Sequence, residues 1–203
     1  MQPALVLSRL QALHEALDRA GFEHAVGGAI ALSVHAEPRA TTDMDLNVIA
    51  DPEHPQRLLD TMPDGVVIHP SAAAELRRDG QVRLIWPHPD TPVDLFLPQH
   101  PEFHRLVNDR ARPDIEQIGF DIRVISATDL MVFKMLFNRT KDWADIESLL
   151  RAGAGDPDEA ADWIVQFLGP DDERLTRLDD ARRAAREGYP VFRFPAQKPG
   201  SSR

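Results

Sequence analysis

Apolar residues recur three or four positions apart at Val6, Leu10, Leu13, Leu17 and Ala20, which predicts an amphipathic helix over 4–20 with Gly21 as its stop. Beyond it the pattern shortens. Residues 22–26 read as a short strand that ends at Gly27-Gly28. Residues 29–35 read as a helix, with Pro38 beyond its end. A strand is expected over 43–49 and a short helix over 55–62. Apolar runs at 66–68, 82–86 and 93–97, separated by Gly and Pro, predict further strands, as does 120–125.

From Ser126 onward the pattern becomes helical. Ser126-Ala127-Thr128-Asp129 has the form of a capping box, opening a helix that runs to about Asn138. Further helices are expected over 141–151, 156–168 and 171–187. The last residues hold Pro190, Pro195, Pro199 and Gly200, which predicts a loosely held tail. The expected fold class is therefore α/β (α+β). A mixed, twisted sheet flanked by helices forms a core over 1–125, a helical region over 126–188 packs on it, and a tail covers 189–203.

Composition narrows the function classes. With 42% hydrophobic and 28% charged residues, the 203-residue chain is expected to be an ordinary globular protein. It has no cysteine, which excludes disulfides and thiolate metal sites and fits a reducing compartment. No basic region followed by an apolar run opens the chain, so no secretory signal is expected. No apolar stretch approaches the ~18 residues a membrane span needs. A cytoplasmic location without membrane contact is expected. The net charge of −10 argues against a protein that coats a nucleic-acid duplex, and still leaves room for a local basic strip around an RNA end. Arginine supplies nearly all the positive charge; the only lysines are Lys134, Lys141 and Lys198.

Within this frame, Thr42-Asp43-Met44-Asp45-Leu46 carries the clearest chemistry. Side chains in a strand alternate faces, so Asp43, Asp45 and Asn47 share one face while Met44, Leu46 and Val48 share the other. Residues two apart lie roughly 7 Å apart along a strand, which lets two carboxylates converge on one divalent ion. Close negative charges are costly without a cation or a proton. All-oxygen ligands suit a hard ion such as magnesium, which takes its remaining ligands from water and substrate phosphates. The alternative is a pair of solvent-facing aspartates on an edge strand. Asp94, in Pro92-Val93-Asp94-Leu95-Phe96, is a third carboxylate in an apolar strand. It can complete a metal site, serve as a general base, or simply end an edge strand.

Gly27-Gly28 sits between a strand and a helix. Such a pair lets backbone approach a ligand, and the helix start offers free N–H groups to phosphate, although a plain turn reads the same way. Lys134 lies among Leu130, Met131, Val132, Phe133, Met135, Leu136 and Phe137. A buried ammonium needs carboxylates or a bound phosphate, unless it reaches the surface. Arg139 and Lys141 follow in a connecting loop and can meet phosphate or an acceptor. Asp142 and Asp145 open the next helix, where acidic residues commonly offset the dipole; Asp145 can also hold Lys134 by a salt bridge. His100 and His104 are read as surface histidines, and Arg182, Arg183 and Arg186 as a solvated helix face.

The run Val26-Gly27-Gly28, Ala31-Leu32, His35, Arg39, Thr42-Asp43-Met44-Asp45-Leu46 resembles the signature of the polymerase-β-like nucleotidyltransferase superfamily. More narrowly it resembles the small AbiEii-type branch, which includes toxins of bacterial toxin–antitoxin pairs. Asp129-Leu130, Lys134, Arg139, Lys141-Asp142-Trp143-Ala144-Asp145-Ile146 is similar to that branch's second block.

The resemblance implies an enzyme that transfers a nucleoside monophosphate from an NTP to an acceptor hydroxyl, with Mg2+ or Mn2+. Asp43 and Asp45 would bind the metal bridging the triphosphate, and Asp94 would complete the site or orient the attacking group. Gly27 and Gly28 would hold phosphates, with Thr42 at the β- or γ-phosphate and Lys134, Arg139 and Lys141 as the cationic partners. Asp145 would support the catalytic set. The implied acceptor is RNA, such as the 3′ end of tRNA, and the implied protein partner is a cognate antitoxin. A small-molecule, antibiotic-type nucleotidyltransferase and a catalytically silent nucleotide-binding or interaction domain are the alternatives.

Overall fold

The computed structural model describes residues 3–187; the tail expected over 189–203 lies outside the described residues. Helix α1 (Pro3–Arg19) buries Val6, Leu10, Leu13 and Leu17, as its spacing predicts. Strand β1 (His24–Val26) leads into α2 (Gly28–His35), and β2 (Met44–Val48) follows an irregular segment. One-turn α3 (Gln56–Leu59) and α4 (Ala72–Asp79) precede the hairpin of β3 (Gln81–Trp86) and β4 (Thr91–Phe96). Then come α5 (Pro101–Arg110), β5 (Arg112–Pro113), α6 (Ile115–Ile118) and β6 (Arg123–Val124). Four helices close the described chain: α7 (Ala127–Phe137), α8 (Thr140–Arg151), α9 (Pro157–Leu168) and α10 (Glu173–Glu187).

The six strands form one mixed sheet in the order β3-β4-β2-β1-β6-β5. The pairs β3/β4, β1/β2 and β5/β6 are antiparallel, while β2/β4 and β1/β6 are parallel. On β2, Met44, Leu46 and Val48 are fully buried, so Asp43, Asp45 and Asn47 are left on the opposite, cleft-facing side. Arg9 of α1 donates to the carbonyls of Trp86, Pro87 and Pro89 and to the Thr91 hydroxyl. That clamp on the β3–β4 turn fixes the hairpin register on which the site depends.

The helical region shares the interior of the sheet. One apolar cluster runs from Val6 to Ala181 and includes Met131 and Met135 of α7, Trp143, Ile146 and Leu149 of α8, and Ile164 of α9. Ser126 caps α7 by accepting from the Asp129 N–H at 3.1 Å. Asn138, at φ 56°, ends it in the left-handed region and accepts from the Trp143 indole N–H at 2.8 Å. Lys134 is thereby fixed on a buried helix that faces α8.

Several expectations need correction. Residues 66–68 form no strand; Val67 makes a single bridge to Ile85 at the edge of β3. The strand expected over 120–125 shrinks to the two residues of β6, and the helix over 55–62 to one turn. Helices α4 and α5 were not expected. Three successive alanines favour α4, and Pro101 at the first position starts α5. His104 is buried rather than on the surface, with Nδ1 3.0 Å from the His100 carbonyl; burial lowers its pKa. Among the described residues, no helix is long and apolar enough to cross a membrane.

Candidate active site

Strand register assembles the carboxylates. Asp45 on β2 lies directly beside Asp94 on β4, and Asp94 lies directly beside Arg83 on β3. Adjacent strands run about 4.8 Å apart, so three charged side chains form a row across one face of the sheet. Asp43 precedes Asp45 by two residues and adds a fourth charge to the same face. A cleft of about 610 Å³ opens over this row, lined by Gly28, Ala29, Asp43, Asp45, Asp94 and Lys134 among others. A second lobe of about 970 Å³ shares Asp45, Arg83 and Asp94 and extends to Glu75, Asp79 and Gln81.

Each carboxylate has a different neighbourhood. Asp94 receives two hydrogen bonds from Arg83, Nε to Oδ1 at 2.7 Å and Nη2 to Oδ2 at 2.6 Å. The same Nη2 lies 3.6 Å from Asp43 Oδ2, so the guanidinium bridges Asp94 and Asp43. The hydrogen bond to Asp94, and then its charge, raise the Arg83 pKa further. Asp43 also accepts from the Thr42 hydroxyl at 3.1 Å. The Asp45 carboxylate has no hydrogen-bond or ion-pair partner among the described residues. Burial, then the nearby charge of Asp94, push its pKa up to about 6, against the opposing pull of Lys134. An acid left without a partner in this position is short of a cation.

Gly28 explains how helix and carboxylate come so close. At φ 56° it occupies the left-handed region, and a Cβ built on it would stand 1.8 Å from Asp45 Oδ2. Only glycine lets α2 begin against Asp45. The Gly27 N–H is taken by the Asp45 carbonyl at 2.8 Å, as part of the sheet. The unpaired N–H groups at the start of α2 therefore fall to Gly28 and Ala29, both of which line the cleft. Thr42 does not line it, whereas Thr41 does.

On the helical side, Lys134 is 5% exposed and donates to Asp145 Oδ2 at 2.6 Å and to Asp142 Oδ1 at 3.4 Å. It does not reach the surface. Asp145 also takes two hydrogen bonds from Arg39, at 2.8 and 3.0 Å, which tie the segment before β2 to α8. Burial works against the charged form of Asp145, but the bonds from Arg39 and Lys134 outweigh it and hold the carboxyl below its ordinary range. Asp142 accepts from the Arg139 backbone N–H and its guanidinium, which closes a capping box at the start of α8. Arg139 also stacks over the Phe137 ring at 4.7 Å. Lys141 is exposed on the rim.

The structure thus brings Gly28, Asp43, Asp45, Asp94, Lys134, Arg139 and Lys141 to one cleft, with Asp145 supporting it from behind. Arg83 was missed by sequence reasoning. As the side chains stand, no three His, Cys, Asp or Glu among the described residues converge on one point. The Arg83 guanidinium stands between two of the three carboxylates. The donor set is nonetheless that of a hard-cation site: oxygen only, anionic, and with one carboxylate unpartnered.

No protein-family model and no curated protein sequence matches the chain. Solved structures are similar to it at low identity. An antigenic nucleotidyltransferase-like protein from Paracoccidioides brasiliensis is 17% identical with TM-score 0.50, over 88% of this chain and 94% of that one. The antibiotic-resistance factor ANT(2'')-Ia is 15% identical with TM-score 0.49, over 92% and 94%. JHP933 from Helicobacter pylori is 15% identical with TM-score 0.41, over 93% and 94%. The likeness to the Paracoccidioides protein is one of fold, over most of both chains.

Proposed function

We propose that the chain is a divalent-metal-dependent nucleotidyltransferase, moving a nucleoside monophosphate from an NTP to an acceptor hydroxyl with release of pyrophosphate. The observation that carries this reading is the register of Asp45 beside Asp94, with Asp43 on the same face and an open helix start at Gly28.

In this reading Asp43, Asp45 and Asp94 would hold the ion, Mg2+ or Mn2+. The ion would neutralise phosphate charge and polarise the phosphorus under attack. The N–H groups of Gly28 and Ala29, with the positive end of α2, would receive phosphate oxygens. Gly27 would shape that turn while its own N–H stays in the sheet. Thr42 would steady Asp43 through its hydroxyl. Lys134 would present a fixed positive charge, held by Asp145 and Asp142. Arg139 and Lys141 at the rim would meet the triphosphate or the acceptor. Such transfer depends on positioning and charge neutralisation, with little covalent work for the protein.

The acceptor we infer first is RNA, such as the 3′ end of tRNA, in a toxin held in check by an antitoxin. Its support is the order of the two sequence blocks. A second reading is a small cationic acceptor, favoured by Glu75 and Asp79 in the lobe next to Asp94. Incubation with α-labelled NTPs, total RNA and a panel of polycationic small molecules separates them. Label in RNA supports the first, label in the small molecule supports the second, and label in neither with intact NTP rejects the function.

A further inference from the structure

Arg83 has no place in the roles given so far, yet it makes two short polar contacts in the cleft. Its guanidinium engages Asp94 through two bonds of 2.7 and 2.6 Å and reaches to 3.6 Å from Asp43. Asp94 is little exposed and has Arg83 as its only ion-pair partner among the described residues, whereas the Arg83 side chain is 55% exposed. One partner is fixed in the sheet; the other can swing into solvent once a second cation takes over its charge at Asp94.

We propose that Arg83 is a place-holding cation that competes with the divalent metal for Asp94 and Asp43, so that metal binding releases it. This rests on the metal reading of the three carboxylates given above. The argument is one of charge and donor count. A carboxylate that accepts a bidentate guanidinium has its two most accessible lone pairs occupied. An incoming ion must take at least one of them. With Arg83 in place, Asp94 is engaged and the guanidinium charge faces Asp43, so an ion meets Asp45 and an Asp43 already partly neutralised, a weaker Mg2+ site. With Arg83 displaced, three anionic ligands face the ion together. Arg83 therefore sets metal affinity from outside the ligand set. It also explains how the protein tolerates three neighbouring acids while the metal is away: the guanidinium offsets Asp94 and Asp43 and leaves Asp45 to carry the strain.

The test is metal binding itself, read by calorimetric titration with Mn2+ and, independently, by Mn2+ electron paramagnetic resonance, without nucleotide or turnover. Wild type, Arg83→Gln, Arg83→Lys and Asp45→Asn are compared. Arg83→Gln is expected to bind Mn2+ at least about 10-fold more tightly than wild type, equivalent to about 1.4 kcal/mol. Arg83→Lys, which keeps the charge without the fork, is expected between the two. Asp45→Asn is expected to lose binding. Equal or weaker affinity in both Arg83 variants, with Asp45→Asn still losing the ion, overturns the place-holder and leaves the metal reading standing. Mn2+ binding that is absent from wild type and from both Arg83 variants overturns both. Circular dichroism establishes that each variant is folded. Should Arg83→Gln not fold, Arg83→Lys alone must still exceed wild-type affinity.

Discussion

Replacing Asp45 with asparagine should make the metal-free protein more stable while abolishing the proposed metal site. Asp45 has an ordinary pKa of 3.8 and is pushed up to about 6 in the fold. A folded-state pKa above the unfolded one means that the folded protein binds the proton more tightly. The associated stability is fully present below pH 3.8 and is lost as pH rises through 6. A difference of about 2 units corresponds to about 3 kcal/mol at 1.36 kcal/mol per unit. The carboxylate borders the open cleft, so water trims this to about 1–3 kcal/mol. Asparagine keeps the shape and drops the charge. For a chain of this length each kcal/mol moves Tm by about 2–4 °C, so Asp45→Asn should melt roughly 2–12 °C above wild type at pH 7.5 in chelator. The gap should close by pH 4, where wild-type Asp45 is largely protonated. Adding Mn2+ should raise the wild-type Tm and leave the variant unmoved. Thermal melts followed by circular dichroism at pH 7.5, 6 and 4 measure all of this. A variant no more stable than wild type at pH 7.5, or a gap that persists unchanged at pH 4, would refute the reasoning that Asp45 is a destabilised acid waiting for a cation.

Other substitutions probe the supporting parts. Gly28→Ala should cost about 1–2 kcal/mol from the left-handed backbone alone, and more because its Cβ meets Asp45 Oδ2. In an Asp45→Ala background, urea unfolding should show much of that extra cost removed. Asp145→Asn leaves Lys134 buried with only Asp142 at 3.4 Å and loosens Arg39, so a loss of about 2–4 kcal/mol is expected on urea unfolding. A loss below 0.5 kcal/mol would show that the Lys134–Asp145 bond contributes little. Lys141→Ala, at an exposed position, should leave Tm within about 1 °C and raise KM for the NTP several-fold. An unchanged KM would remove Lys141 from the phosphate-binding set.

Much of this site was legible before any fold was known. Alternation in β2 put Asp43, Asp45 and Asn47 on one face, because three buried apolar residues at period two leave no other choice. Lys134 inside an apolar helix implied a buried partner, and Asp145 supplies it. Ser126 and Asn138 marked the ends of α7 by local chemistry, which is why those boundaries read well. What stayed hidden was long-range. Nothing local says that β2 and β4 are parallel neighbours in a register that sets Asp45 beside Asp94. That register is a property of residues almost fifty positions apart in the chain, which no local pattern carries. Arg83 was hidden for the same reason, although Val82 and Leu84 already placed it on the polar face of an expected strand. Only the pairing of β3 with β4 turns that face towards the carboxylates. The 66–68 run misled because β-branched residues at a sheet edge can pair by one bridge without forming a strand. His104 misled because the aromatic contacts that bury it include one from a distant helix, Phe133 on α7 beside its own neighbour Phe103.

The central claim is nucleotidyl transfer at the carboxylate row, and the direct test is the fate of two labels. Purified protein is incubated with Mg2+, a mixed acceptor extract and NTP labelled at either the α- or the γ-phosphate. The account predicts that the α label enters an acceptor, that the γ label leaves as pyrophosphate, and that Asp43→Asn or chelator stops both. Transfer of the γ label to the acceptor, or α transfer that persists unchanged in Asp43→Asn, would contradict it.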